Sequence, residues 1–237
     1  MFEPINIIIN PEHEDLVKEI LEKHEEEISS LIEDLTKNLG QGNTADVRFL
    51  GSNNKVCLKI YKHPDQIGDS IFYLSPEKER DFLEKMSGLG TKVRVPKVYA
   101  SFEVSNKNPN ENNHQFLMME TLPAVSVDDV LQNRAKLPKD FDWASFQKDL
   151  LNFVEQMHER KVYHRDLHEG NIMIDRITFQ AYVIDFGASL EFWGQAEPGE
   201  RGPYHITKDG VERILTSDEA MVRSVVKKLR IKLTQTD

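Results

Sequence analysis

The chain is short of several things, and each shortage excludes something. Of its 237 residues only one is cysteine, Cys57. A single thiol excludes an internal disulfide framework and fits a reducing compartment. Positive charge is in deficit: 30 Lys and Arg stand against 40 Asp and Glu, a formal net charge of −10. That balance argues against non-specific nucleic-acid binding, so no nucleic-acid partner is expected. No apolar run approaches the roughly 20 residues a membrane-spanning helix needs, so no membrane span is expected. The opening Met1-Phe2-Glu3-Pro4 lacks the charged-then-apolar order of a signal peptide. Low-complexity tracts and internal repeats are missing as well. These absences predict a soluble, cytoplasmic protein, although a bacterial effector exported by an unusual route would read the same. What is present suffices for a core: 39% of the residues are hydrophobic and 30% charged. The length suits one large domain or two small lobes.

One stretch organises the rest. Val162-Tyr163-His164-Arg165-Asp166-Leu167-His168-Glu169-Gly170-Asn171-Ile172-Met173 reads His-Arg-Asp, four residues, then Asn, and Val183-Ile184-Asp185-Phe186-Gly187 follows closely. Asp166 supplies a carboxylate able to accept or orient a hydroxyl proton. Asn171 and Asp185 supply hard oxygens of the kind Mg²⁺ prefers. Apolar residues flank both loops and predict short strands that hold these oxygens over a core. The plainer alternative is a surface turn followed by a hairpin turn.

Upstream, Leu39-Gly40-Gln41-Gly42-Asn43-Thr44-Ala45-Asp46-Val47 places two glycines one residue apart. Such a pair lets backbone amides approach a phosphate, though hairpin turns use the same residues. Val56-Cys57-Leu58-Lys59-Ile60-Tyr61 then reads as an apolar strand with one lysine inside it. A lysine there needs an anionic partner. Ser75-Pro76 opens a helix carrying Glu77, Glu79 and Glu84, with Phe82, Leu83 and Met86 on its apolar face. Phe116 to Pro123 reads as a buried strand running into a connector.

In this order the motifs resemble the protein-kinase-like superfamily, over about residues 39–187. The resemblance implies ATP and Mg²⁺ as cofactors and a γ-phosphoryl transfer to a hydroxyl. It makes Asp166 the residue that receives or orients the acceptor hydroxyl, and Asn171 and Asp185 the metal ligands. Gly40 and Gly42 cover the phosphates, with Val47 also at the nucleotide. Ala45 departs from the family, where a third glycine usually stands. Lys59 holds the α- and β-phosphates, oriented by Glu79, which precedes the apolar Leu83 by the family interval; Glu77 and Glu84 are its rivals. Met119 is the gatekeeper, the backbone of Glu120 and Leu122 bonds the adenine, and Cys57 and Met173 lie above and below the purine. His164 and Phe186 are packing residues.

The fold this implies is α+β and bilobal: an antiparallel-sheet N-lobe over residues 39–120, a small, mostly helical C-lobe over 121–237, and an extra N-terminal helix within 1–38. That helix is predicted from Pro11 to Asp34, with Glu25-Glu26-Glu27 as a solvated mid-helix face. A strand is predicted from Val93 to Phe102, an exposed loop from Ser105 to His114, a short helix from Val127 and a longer one from Asp142 to Lys161. Residues after Gly187 are few and contain no Ala-Pro-Glu. Gly194 to Gly210 is read as a loop, and Ser217 caps a final helix reaching Leu233. This reduced C-lobe resembles RIO-type, sugar or lipopolysaccharide-core, and short bacterial effector kinases.

The acceptor is left open between protein and small molecule. His168 stands where Ser/Thr protein kinases usually have Lys, which resembles sugar or aminoglycoside kinases. Arg165 and the intact loops favour protein Ser/Thr. An ATP-binding scaffold or pseudokinase, with a protein partner completing the small C-lobe, and an ATPase acting on water are the remaining alternatives.

Overall fold

A computed structural model describes residues 4–35, 45–50, 55–62, 75–105, 113–138, 140–191, 204–208, 211–215 and 217–234. The chain divides into two compact units, Met1–Glu84 with Pro96–Leu122, and Lys85–Val95 with Pro123–Asp237.

The first unit is built on a five-stranded antiparallel sheet in the order β1-β4-β5-β3-β2. Its strands are β1 (Pro4–Ile9), β2 (Ala45–Leu50), β3 (Val56–Tyr61), β4 (Val98–Val104) and β5 (His114–Glu120). Alternation sends Val56, Leu58 and Ile60 of β3 to one face, where they meet Ala100, Phe102, Val104, Phe116 and Met118. Phe102 and Phe116 stack there with ring centroids 5.0 Å apart. Cys57, Lys59 and Tyr61 point to the other face.

Helices α1 (Glu14–Lys23) and α2 (Glu25–Leu35) cover the apolar face with Val17, Ile20 and Ile28. The expected single helix is therefore two, broken at His24, where φ is −115°. The three glutamates are not a mid-helix face. They form the first turn of α2, where the exposed N–H groups favour negative charge. The bend lets both helices turn apolar residues onto one sheet. Ahead of them, Asn10 caps the turn Pro11–His13 by accepting the Glu12 N–H at 3.1 Å. Strand β1 was not expected. It is an edge strand with Pro4 at its start and a bulge between Ile5 and Ile8, so its alternation is poor. Strand β4 begins at Val98 rather than Val93, because Pro96 has no N–H for a ladder. Of the predicted 105–114 loop, residues 106–112 lie outside the described residues.

Helix α3 (Pro76–Ser87) lies between β3 and β4 in the chain. The second unit contains β6 (Ala124–Ser126), α4 (Val127–Leu131), α5 (Trp143–Glu159), β7 (Val162–Tyr163), β8 (Ile172–Asp175), β9 (Ala181–Val183), β10 (Leu190–Glu191), β11 (Tyr204–Lys208), β12 (Val211–Leu215) and α6 (Asp218–Thr234). Helix α4 starts with a capping box, Ser126 and Asp129 bonding each other's backbone N–H. Asp142 caps α5 by accepting the Ser145 N–H at 2.9 Å. Leu150, Phe153, Val154 and Met157 of α5 and Val222, Val225, Val226 and Leu229 of α6 form the core between these helices. Part of the stretch read as a loop is a hairpin: β11 pairs antiparallel with β12. Asp209-Gly210 between them is a hairpin signal in the sequence, and the surrounding Gly and Pro content obscured it.

Candidate active site

In the first unit the chemistry gathers on β3. Lys59 is 4% exposed, and its Nζ donates to both carboxylate oxygens of Glu79 on α3, at 2.7 and 2.8 Å. Glu79 is itself 1% exposed and takes a further bond of 2.6 Å from the Tyr61 hydroxyl. Burial at this depth requires that the two charges be paired. Of the two rival acids, Glu84 lies 4.0 Å from Arg80 and Glu77 is half-buried on the same helix. Tyr61 was missed by sequence reasoning, although it lies two residues from Lys59 and so on the same strand face.

Register places Val47 opposite Lys59, Phe49 opposite Cys57, and Cys57 opposite Met119. These side chains share the Lys59 face. Val47 and Phe49 remain exposed, while Cys57 and Met119 are buried, so the face offers an apolar bed beside a cation. Burial pushes the Cys57 thiol up to about 11. The Glu120 carbonyl accepts a weak bond from Cys57 Sγ at 3.6 Å, and its N–H goes to the Lys97 carbonyl at 2.9 Å. The Leu122 N–H has no partner among the described residues. Gly40 and Gly42 lie outside the described residues.

In the second unit the loop between β7 and β8 carries Asp166 and Asn171. Asn171 is buried, and its Nδ2 donates to the Asp166 carbonyl at 2.9 Å and to Asp166 Oδ2 at 3.1 Å. With the amide nitrogen so engaged, the amide oxygen is the atom left for a cation. The Asn171 carbonyl accepts the Ile184 N–H at 3.0 Å, tying this loop to the one that carries Asp185. His164 adds a second tie: Nε2 donates to the Ile184 carbonyl at 3.0 Å, Nδ1 accepts the Asp166 N–H at 3.3 Å, and the ring meets Phe186 edge-on at 4.7 Å. Asp185 has φ 61°, a left-handed conformation uncommon outside glycine, and accepts the Gly187 N–H at 3.2 Å. Burial pushes the Asp166 carboxyl above the usual range; His168 and His164 oppose that, and Asp185 adds to it. Met173, half-buried on β8, lies opposite Tyr182 of β9.

Helix α6 holds this loop in place, a role its sequence does not announce. Asp218 is fully buried; its Oδ2 accepts the His164 N–H at 2.9 Å and its Oδ1 the Arg165 N–H at 2.7 Å. The same carboxylate lies 2.9 Å from His158 Nε2 of α5. Arg165 has φ 70°, a strained geometry that such bonds stabilise. One turn on, Met221 Sδ accepts the Leu167 N–H at 3.2 Å, and Lys228 bonds Glu169 at 2.8 Å. That bond holds the Glu169 carboxyl below the usual range. In the sequence Asp218 looks like an ordinary helix start, and no local signal sets it apart.

Among the described residues no group of three or more His, Cys, Asp and Glu side chains could hold a metal ion. The donors present, one carboxylate from Asp185 and one amide oxygen from Asn171, fit Mg²⁺, which binds through one or two protein oxygens and completes its shell with phosphates and water.

Comparison with known proteins gives the family. The protein kinase domain model matches residues 34–205. A calcium/calmodulin-dependent protein kinase kinase of Caenorhabditis elegans is 24% identical over 177 residues, covering 68% of this chain and 32% of that protein. Serine/threonine-protein kinase D of Synechocystis sp. is 23% identical over 201 residues, covering 81% of this chain and 37% of that protein. Among solved structures, the CAK complex from Chaetomium thermophilum bound to ATP-γ-S contains a chain 24% identical, with a TM-score of 0.46, covering 70% of this chain and 48% of that one. The chain thus spans about a third of the length of these two curated relatives. With more than half of its length matched by the family model, the chain belongs to the protein kinase domain family.

Proposed function

We propose that the protein is an ATP-dependent protein kinase that transfers the γ-phosphoryl group to a serine or threonine hydroxyl. The observation that carries this reading is the Asn171–Asp166 bond of 3.1 Å, which fixes a metal-donor oxygen and a proton-accepting carboxylate in one rigid loop. Phosphoryl transfer needs positioning and charge neutralisation more than covalent help. Lys59, held by Glu79, binds the α- and β-phosphates. Val47, Cys57, Met119 and Met173 contact the purine, and the backbone of Glu120 and Leu122 bonds its edge. Gly40 and Gly42 take the phosphates on their backbone amides. Asn171 and Asp185 hold the metal, whose charge offsets that of the phosphates when it is bound. Asp166 orients the acceptor hydroxyl and takes its proton late in the transfer. Its burial moves it toward the pKa of a useful base.

The acceptor class is supported by the intact His164-Arg165-Asp166 and Asp185-Phe186-Gly187 sequences and by the names of the relatives. A protein partner completing the substrate platform fits the short segment between Gly187 and α6. A reducing, cytoplasmic setting fits the lone, buried Cys57.

The test is phosphate incorporation from radiolabelled ATP into a generic protein acceptor and into the chain itself. Asp166→Asn and Asp185→Ala are expected to lose at least about 100-fold in turnover, roughly 3 kcal/mol of transition-state stabilisation. Nucleotide-induced thermal stabilisation with no turnover by the wild type would instead favour a scaffold.

A further inference from the structure

His168 is half exposed, yet its ring is fixed. Its Nδ1 lies 3.0 Å from the Gly170 backbone N–H. A backbone N–H only donates, so Nδ1 accepts, and the neutral ring carries its proton on Nε2. That nitrogen stands 3.6 Å from Asp166 Oδ2, near the carboxylate but outside hydrogen-bond range. Oδ2 is also the oxygen that accepts Asn171 Nδ2. One hydrogen bond, from Asn171, and the nearby His168 nitrogen thus gather at one oxygen of Asp166, while Oδ1 accepts no hydrogen bond among the described residues. Gly170 serves the same arrangement. A Cβ there would meet His168 Cε1 at 2.7 Å and Nδ1 at 3.1 Å, and its φ lies outside the left-handed range. A side chain at position 170 would therefore make the imidazole shift, while the backbone itself does not require glycine.

We propose that His168, locked as the Nε2–H imidazole by the Gly170 amide, is a positioning residue for Asp166. With Asn171 it claims Oδ2 and leaves Oδ1 to face the acceptor hydroxyl. The inference rests on Asp166 being the residue that receives that hydroxyl. A lysine at this position would act as a mobile point charge on every nearby anion. A tethered imidazole N–H acts along one direction and so sets the rotation of the carboxylate. Its loss is felt in kcat and leaves the KM for ATP unchanged.

Two experiments on the full chain decide this. The first is ring ¹⁵N spectroscopy of histidine-labelled protein without nucleotide or metal, with His168 assigned by the resonances missing in His168→Asn. Protonated Nε2 with bare Nδ1 is expected; a proton on Nδ1 overturns the proposal whatever the kinetics. The second is steady-state kinetics with a generic protein acceptor. His168→Asn keeps an acceptor for the Gly170 amide but has no N–H at the Nε2 position, and is expected to lower kcat at least tenfold with the KM for ATP within twofold. His168→Gln places an N–H near the Nε2 position and is expected to recover kcat to within about threefold of wild type. Gly170→Ala displaces the ring and is expected to lower kcat in the wild type but not further in His168→Asn, since two changes to one contact do not add. Equal cost of Gly170→Ala in both backgrounds, or His168→Asn with kcat within twofold of wild type, overturns the proposal. If Asp166→Asn retains turnover, the catalytic reading fails. If Asp166→Asn is dead while His168→Asn is normal, only the positioning role fails.

Discussion

At the scale of the residue, the arrangement turns on charges kept away from water. Lys59 and Glu79 are almost wholly buried, and Glu79 accepts from the Tyr61 hydroxyl as well. Desolvating two ions costs several kcal/mol each, and their attraction returns that only at good geometry. Apolar side chains of similar volume are expected to hold the fold about as well. Glu79→Leu alone is therefore expected to destabilise the protein by about 3–5 kcal/mol, since it deprives a buried lysine of its carboxylate. The double variant Lys59→Met/Glu79→Leu is expected to recover most of that loss in urea unfolding while remaining inactive toward ATP. A double variant as unstable as the single one would show that the pair is a structural necessity.

At the scale of the element, helix α6 explains why the loop that carries Asp166 and Asn171 can adopt its shape. Asp218, Met221 and Lys228, on one helix, bond His164, Arg165, Leu167 and Glu169. The expected outcome of Asp218→Ala is a loss of about 3 kcal/mol or more, because a buried and a part-buried backbone N–H and His158 lose their acceptor together. Asp218→Asn keeps one acceptor oxygen and is expected to fall between. Thermal denaturation ranks the two, and a cost below about 1 kcal/mol for Asp218→Ala would show that water replaces the carboxylate. The same contacts mark what the sequence could disclose. That Asp166 and Asn171 share one loop between short strands was legible, because the pattern is local: polar residues at fixed spacing between short apolar runs. The Lys59–Glu79 contact was nearly legible, since an interior lysine demands an acid and helix spacing narrows the choice. Asp218 was not, because it acts across 54 residues and its local sequence is that of any helix start. The hairpin of β11 and β12 and the break at His24 failed for the opposite reason. Gly, Pro and Glu content gave plausible local readings that tertiary contacts overrode.

At the scale of the whole molecule, each compact unit has a core of its own, and the first depends on a segment outside the family match. The match begins at residue 34, while the cover of the sheet lies before it. Val17, Ile20 and Ile28 are buried against Leu58, Ile60, Phe102 and Phe116, and β1 adds its ladder to β4. Each such side chain contributes about 1.5–3 kcal/mol by leaving water. Together they amount to a large part of the 5–15 kcal/mol typical of a native domain. Ile28, with no exposed surface, is the sharpest probe. Ile28→Ala is expected to cost about 2–5 kcal/mol through lost transfer energy and the cavity left behind. Hydrogen exchange read by mass spectrometry localises the effect. Protection should fall along β3, β4 and β5, whose apolar residues face Ile28, and hold in α5 and α6, whose core is made by Leu150, Phe153, Val225 and Leu229. Uniform loss of protection through both units would mean that the chain unfolds as one cooperative body. Unchanged protection in the sheet would mean that α1 and α2 decorate that face without supporting it.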